Sequence, residues 1–279
     1  LGRSSFCALK YDGTLDVWGQ RNHGGCIQDA LSGAANGWTC LPASISSVTV
    51  VESTAKAYAA LRTNGTVVAW GTWSHGGCDE EEGGGATDSS YTCKPSNLQN
   101  VSALYSTLSA FAALRIDGTV VSWGLKIGGG CRTGSYASTT CMPAGLQNVR
   151  TIFANDHAFV AVQDNGLFVG FGKVDSGATV HSFLTSLPVT PVKELVGVGT
   201  KFASLNRDGT VYSWGQSMSY YQSSVASYTN VVQLVATGVG FAALRSDGDA
   251  KCWPAGSYGG NCPAATTSGK MTELWTTYG

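Results

Sequence analysis

Nine cysteines are the residues of this chain best placed to do chemistry. Cys26, Cys78 and Cys131 each follow paired glycines, in "NHGGC", "SHGGC" and "IGGGC". A second cysteine follows each after 14, 15 and 10 residues: Cys40 in "TCLP", Cys93 in "TCKP" and Cys141 in "TCMP". Zinc sites bring ligands in pairs about two to four residues apart. No Cys-x-x-Cys occurs here, so the sequence predicts no metal centre. Pairs repeated in register predict local disulfides instead: Cys26–Cys40, Cys78–Cys93 and Cys131–Cys141. In the loop-entropy account each contributes roughly 3 kcal/mol. Cys252 and Cys262 form the fourth expected pair. Cys7 is then a buried free thiol or, alternatively, the partner of Cys252. So many bridges predict an oxidising compartment, extracellular or within an organelle lumen.

Other reactive side chains support binding better than catalysis. His23 and His75 occupy matching positions before the paired glycines, which favours a turn role, and His157 and His181 have no counterparts. No set of residues composes a nucleophile with its base, so the chain reads as a non-enzyme without a cofactor. The acidic run "DEEEGGG" at 79–85 reads as a solvated loop tip. Asn64 and Asn100 match the glycosylation acceptor pattern, with Asn64 in a tight turn and Asn100 more accessible. Aromatics outside any regular pattern are the candidate contacts for a partner: Trp38, Trp73, Tyr91, Tyr136, Tyr220 and Tyr221, with Tyr228 and Tyr258 beside them.

Positioning these groups is the task of a repeat. "SFCALKYDGTLDVWG" (5–19) recurs as "AYAALRTNGTVVAWG" (57–71) and "AFAALRIDGTVVSWG" (110–124). It recurs again, more loosely, at 158–172, 201–215 and 240–254. Successive turn glycines lie 52, 53, 48, 43 and 39 residues apart, a period that signals a propeller or solenoid. Within each unit, two short apolar runs flank Asp-Gly or Asn-Gly, the signature of a β-hairpin. The Arg at 62, 115 and 245 ends the first run, and Trp18, Trp70, Trp123, Trp214 and Trp253 precede the exit; all five Trp are expected in the core. A further strand precedes five of the hairpins, as in "VTVVEST" (48–54) and "VSALYST" (101–107). The C-terminal "MTELWTTYG" (271–279) is such a strand with no hairpin after it, and the first hairpin has no such strand before it. Joining the two completes a ring. The expected fold is all-β: a six-bladed β-propeller over 1–279 as a single domain, closed by the C-terminal strand pairing into the first blade.

These repeats, above all "WGQRNHGGC", "WGTWSHGGC" and "WGLKIGGGC", resemble those of the regulator of chromosome condensation family. Their low charge is similar to repeats of algal proteins. The resemblance implies a propeller over nearly the whole chain. It does not imply one activity, because family members include a nuclear exchange factor, a plant ultraviolet photoreceptor and a secreted β-lactamase inhibitor. This chain departs from the pattern at Phe171, at "WGQSMSYYQ" (214–222) and at Pro254.

Net charge is −1 and charged residues make up 13% of the chain, so no basic footprint for nucleic acid exists. No apolar run is long enough to span a membrane. Low charge and 37 glycines suit a turn-rich scaffold inside a larger assembly. The function these features favour is partner binding through inter-repeat loops. One version is an accessory subunit on the lumenal side of a membrane complex. A carbohydrate-binding lectin, with glycan as the ligand, and a secreted enzyme inhibitor are the alternatives.

Overall fold

The computed structural model describes residues 4–27, 38–78, 90–131, 139–179, 192–216, 228–238, 240–253 and 270–276. Strands β1 (Ser5–Leu9) and β2 (Leu15–Gly19) form the first hairpin. The next three sheets each have four antiparallel strands, the shortest lying outermost. They comprise β3 (Trp38–Thr39), β4 (Val48–Ser53), β5 (Ala57–Arg62) and β6 (Val67–Thr72); then β7 (Tyr91–Thr92), β8 (Val101–Ser106), β9 (Ala110–Arg115) and β10 (Val120–Leu125); then β11 (Thr139–Thr140), β12 (Val149–Ala154), β13 (Ala158–Gln163) and β14 (Phe168–Lys173). Two three-stranded sheets follow: β15 (Val192–Val198), β16 (Lys201–Asn206) and β17 (Val211–Gly215), then β18 (Val231–Ala236), β19 (Phe241–Arg245) and β20 (Ala250–Trp253). All six expected hairpins are present.

The turn acids close those hairpins. The Asp12 carboxylate accepts hydrogen bonds from the Thr14 amide and hydroxyl at 2.9 and 2.7 Å. Asp117 and Asp208 do the same with Thr119 and Thr210, and the Asn64 amide oxygen does so with Thr66. The threonine hydroxyl first, then its amide, holds the Asp12 and Asp117 carboxyls below their ordinary range. The neighbouring glycine also serves the next sheet. A Cβ on Gly65, at φ +77°, would stand 3.2 Å from the Asn100 backbone, and Val101 N–H donates to the Gly65 carbonyl at 3.0 Å. The same bond joins Val48 to Gly13, Val149 to Gly118 and Val231 to Gly209. These four hairpin turns thus fix the start of the following sheet. The first strands of successive sheets, β4, β8, β12, β15 and β18, lie against one another, so the sheets radiate from a common centre as propeller blades.

Between blades, cross-strand aromatic pairs stack: Tyr58–Trp70 and Phe111–Trp123 at 5.3 Å, Phe159–Phe171 at 5.1 Å and Phe202–Trp214 at 5.5 Å. Each is covered by the glycine turn of the preceding blade. Trp70, Trp123 and Trp214 donate their indole N–H to the carbonyls of Gly24, Gly76 and Gly177 at 3.0, 3.0 and 3.2 Å. Burial on this scale contributes a few kcal/mol per pair, about 1.5–3 for each large side chain.

Two expectations are corrected. Trp18 is not core: it is 51% exposed and stacks at 5.5 Å on Phe6, itself 58% exposed. Among the described residues β1 pairs with β2 alone, and no glycine turn covers this aromatic pair. Tyr228 is not a free loop aromatic. It is buried with the cluster around Trp253, with the Arg245 and Lys251 cations 5.6 and 5.4 Å from its ring centre. Residues 270–276 carry no sheet pairing. Met271 N–H nevertheless donates to the Gly248 carbonyl at 3.0 Å, the bond that starts a first strand elsewhere.

Candidate functional site

The exits from the first four hairpins are built alike. After β2, β6, β10 and β14 the chain makes a single 3-10 turn, at 21–23, 73–75, 126–128 and 174–176. Each turn ends on a glycine at positive φ: Gly24, Gly76, Gly129 and Gly177. A side chain on Gly76 would meet the Phe111 ring at 2.6 Å, so the covering role and the glycine are one requirement. Thr54 and Thr107 fasten the turns to the blade by donating to the carbonyls of His75 and Gly128 at 3.1 and 2.9 Å. Asn155 makes the equivalent bond to Ser176 at 2.7 Å.

Disulfides Cys26–Cys40, Cys78–Cys93 and Cys131–Cys141 then tie three of these exits to the outermost strands β3, β7 and β11. Backbone bonds run alongside, from Leu41, Lys94 and Met142 N–H to the carbonyls of Cys26, Cys78 and Cys131. Cys7 is free, and burial, aided by the nearby Asp16, pushes its thiol up to about 11. Cys252 is disulfide-bonded, and Cys262 lies outside the described residues.

Three of the predicted contact aromatics come together here. Trp38 lies in β3 opposite Thr72, the residue immediately before Trp73. Trp73 opens the turn 73–75, and β7, which begins with Tyr91, lies against that turn. All three side chains are half-buried, and the Trp73 indole N–H has no hydrogen-bond partner. His75 closes the turn beside them. Burial first, then Lys56 and His23, pushes its pKa down to about 4, and burial and Lys56 also lower His23. At neutral pH both imidazoles are therefore uncharged, and the aromatics are flanked by neutral imidazoles with the Lys56 ammonium nearby. The remaining candidates Tyr136, Tyr220, Tyr221 and Tyr258, His181 and the acidic run 79–85 lie outside the described residues. Asn64 and Asn100 are both exposed, but Asn64 uses its amide oxygen in the turn.

The outermost strands were not anticipated. Their signal is present in "WTC", "YTC" and "TTC": Trp38, Tyr91 and Thr139 hold one repeat position two residues before a bridged cysteine. Among the described residues, no three metal-ligating side chains gather at one point. No described helix is long and apolar enough to cross a membrane.

No family model matches this chain, and no curated protein matches it. Solved structures do. The chain is similar to yeast RCC1 (Prp20), determined bound to Kap60, with 18% identity, a TM-score of 0.50, and coverage of 90% of this chain and 68% of that one. It is similar to human WBSCR16 with 16% identity, a TM-score of 0.52, and coverage of 89% and 74%. With its radial sheets and recurring hairpins, the chain has the fold of an RCC1-like β-propeller.

Proposed function

We propose that this chain is a non-enzymatic interaction scaffold: a six-bladed ring, closed by its C-terminal segment, that binds a partner protein through its disulfide-bearing face in an oxidising compartment. The observation that carries this reading is the gathering of Trp38, Trp73 and Tyr91 around one glycine-terminated turn. Rigid, half-buried aromatics lose little entropy on binding and supply much of the energy of protein interfaces. Disulfides on both sides of the turn hold them in place before a partner arrives. Yeast RCC1, which shares the fold, is a protein that Kap60 binds. The equivalent residues Trp38, Tyr91 and Thr139 differ in chemistry, which argues against a lectin with repeated sugar sites. A place within a larger assembly fits the low charge of the chain.

Photo-crosslinking in extract from the native source tests the proposal. A benzophenone side chain placed at position 73 should capture a partner, and one at Thr63 or Ile116, exposed on the hairpin-turn face, should not. Replacing Trp38 and Tyr91 by Ala should abolish capture at 73. Capture from the turn face alone would refute the assignment.

A further inference from the structure

The first strands β15 and β18, the bend after β12 and the segment 270–276 line a half-open cavity of about 610 Å3. Val196, Val198, Leu234 and Ala236 form an aliphatic part of its lining, Thr237 and Thr276 add hydroxyls, and two carboxylates stand in it: Glu194 and Asp156. The repeat shows that neither acid is needed for folding. Asp156 sits at the bend between first and second strands, in a chain of bonds from Ala55 N–H to the Leu108 carbonyl, Leu108 to Asp156, and Asp156 to Gly199. Ala, Leu and Gly make the same bend. Glu194 follows a bulge, and Val50, Ala103, Thr151 and Gln233 follow the same bulge in their own blades.

The backbones of the two acids are set apart along the cavity lining. Asp156 is bonded to Gly199, one residue past the end of β15, and Glu194 lies four residues before that end, about 13 Å along the strand. A cavity of 610 Å3 over that length has a cross-section of about 45 Å2, room for an extended alkyl chain. No hydrogen bond or salt bridge among the described residues engages either carboxylate. Burial raises the pKa of both. The nearest bases are otherwise placed: burial lowers His157, and the Lys193 ammonium is bound to the Val232 carbonyl at 2.8 Å. A hard metal ion would need about six oxygen ligands, and this lining offers too few.

We propose that the cavity binds an aliphatic diammonium ion, one ammonium at Glu194, the other at Asp156, and the methylene chain along Val196, Val198, Leu234 and Ala236. Partly desolvated carboxylates with no ion pair are costly, and a cation at each relieves both, while the aliphatic side chains between them select the stem.

Calorimetric titration with octane-1,8-diamine, octylamine and octanol tests this. The wild-type protein should bind the diamine at least about ten-fold more tightly than octylamine, as expected for one added charge-assisted contact. Octanol should bind weakest. Asp156→Ala and Glu194→Gln place residues that the repeat already carries at those positions. Each should remove the preference for the diamine. No binding of the diamine, equal affinity for diamine and octylamine, or a preference kept in either variant would overturn the proposal. The wild-type comparison needs no variant to fold.

Discussion

At the scale of single residues, the paired glycines and the histidines before them turn out to be parts of one joint. The glycine lies over an aromatic pair of the next blade, its carbonyl accepts an indole N–H, and the histidine beside it loses its charge to burial. This has a pH consequence. In the folded chain His75 titrates near 4, and in the unfolded chain near 6.5. As pH falls, the unfolded state takes up a proton first. Stability is therefore flat above the unfolded value and declines between the two. A full shift would be larger, but half-exposure and solvent screening limit the loss to about 1–2 kcal/mol. Urea unfolding at about pH 7.5 and 4.5 should show wild type losing that much more than His75→Gln across the interval. Equal losses would mean that the folded state protonates His75 freely.

At the scale of elements, each disulfide fastens a hairpin exit to a two-residue outer strand that could not persist alone. Cys26–Cys40 fixes β3 against β6, and with it the relation of Trp38 to Trp73. The double variant Cys26→Ala, Cys40→Ala should lower unfolding free energy by roughly 3 kcal/mol, read from guanidinium unfolding. A loss below about 1 kcal/mol would mean that the backbone bonds alone order the loop. Hairpins and first strands were legible in the sequence because turn chemistry and alternation are local. So were the three bridges Cys26–Cys40, Cys78–Cys93 and Cys131–Cys141, because those cysteines repeat in register. The outer strands were hidden, since two residues carry no periodicity, and the meeting of Trp38, Trp73 and Tyr91 was hidden because it depends on which strand β3 and β7 choose. Asp156 and Glu194 are inconspicuous for a related reason: each looks like a surface acid until its column in the repeat is seen to be uncharged in the other sheets.

At the scale of the whole molecule, the exposed aromatics Phe6, Trp18 and Trp275 belong to the first hairpin and the C-terminal segment. These are the two parts that a closed ring would join. Apart from the half-buried Tyr58, the equivalents of Phe6 and Trp18 in other blades are buried, so leaving this pair open forgoes a few kcal/mol, about 1.5–3 per large side chain. The C-terminal segment is already held at its inner edge, where Gln233 donates to the Leu274 carbonyl at 2.9 Å and accepts from the Leu274 N–H at 2.8 Å. If Met271 plays the part of Val48, as its bond to Gly248 suggests, then Trp275 takes the place of Glu52, which pairs across the ladder with Ala59. Ala59 corresponds to Cys7, because Tyr58–Trp70 and Phe6–Trp18 are matching pairs. The closed ring therefore places residue 275 opposite the free thiol of Cys7, at the Cα spacing of about 5 Å that a disulfide needs. Trp275→Cys should form an intramolecular bridge to Cys7 under a copper oxidant, which offsets the raised thiol pKa, and peptide mass analysis should find it. Leu274→Cys, whose side chain faces the other side of the strand, should not. A failure of Trp275→Cys to bridge, or bridging only between molecules, would show that the C-terminal segment does not close the first blade.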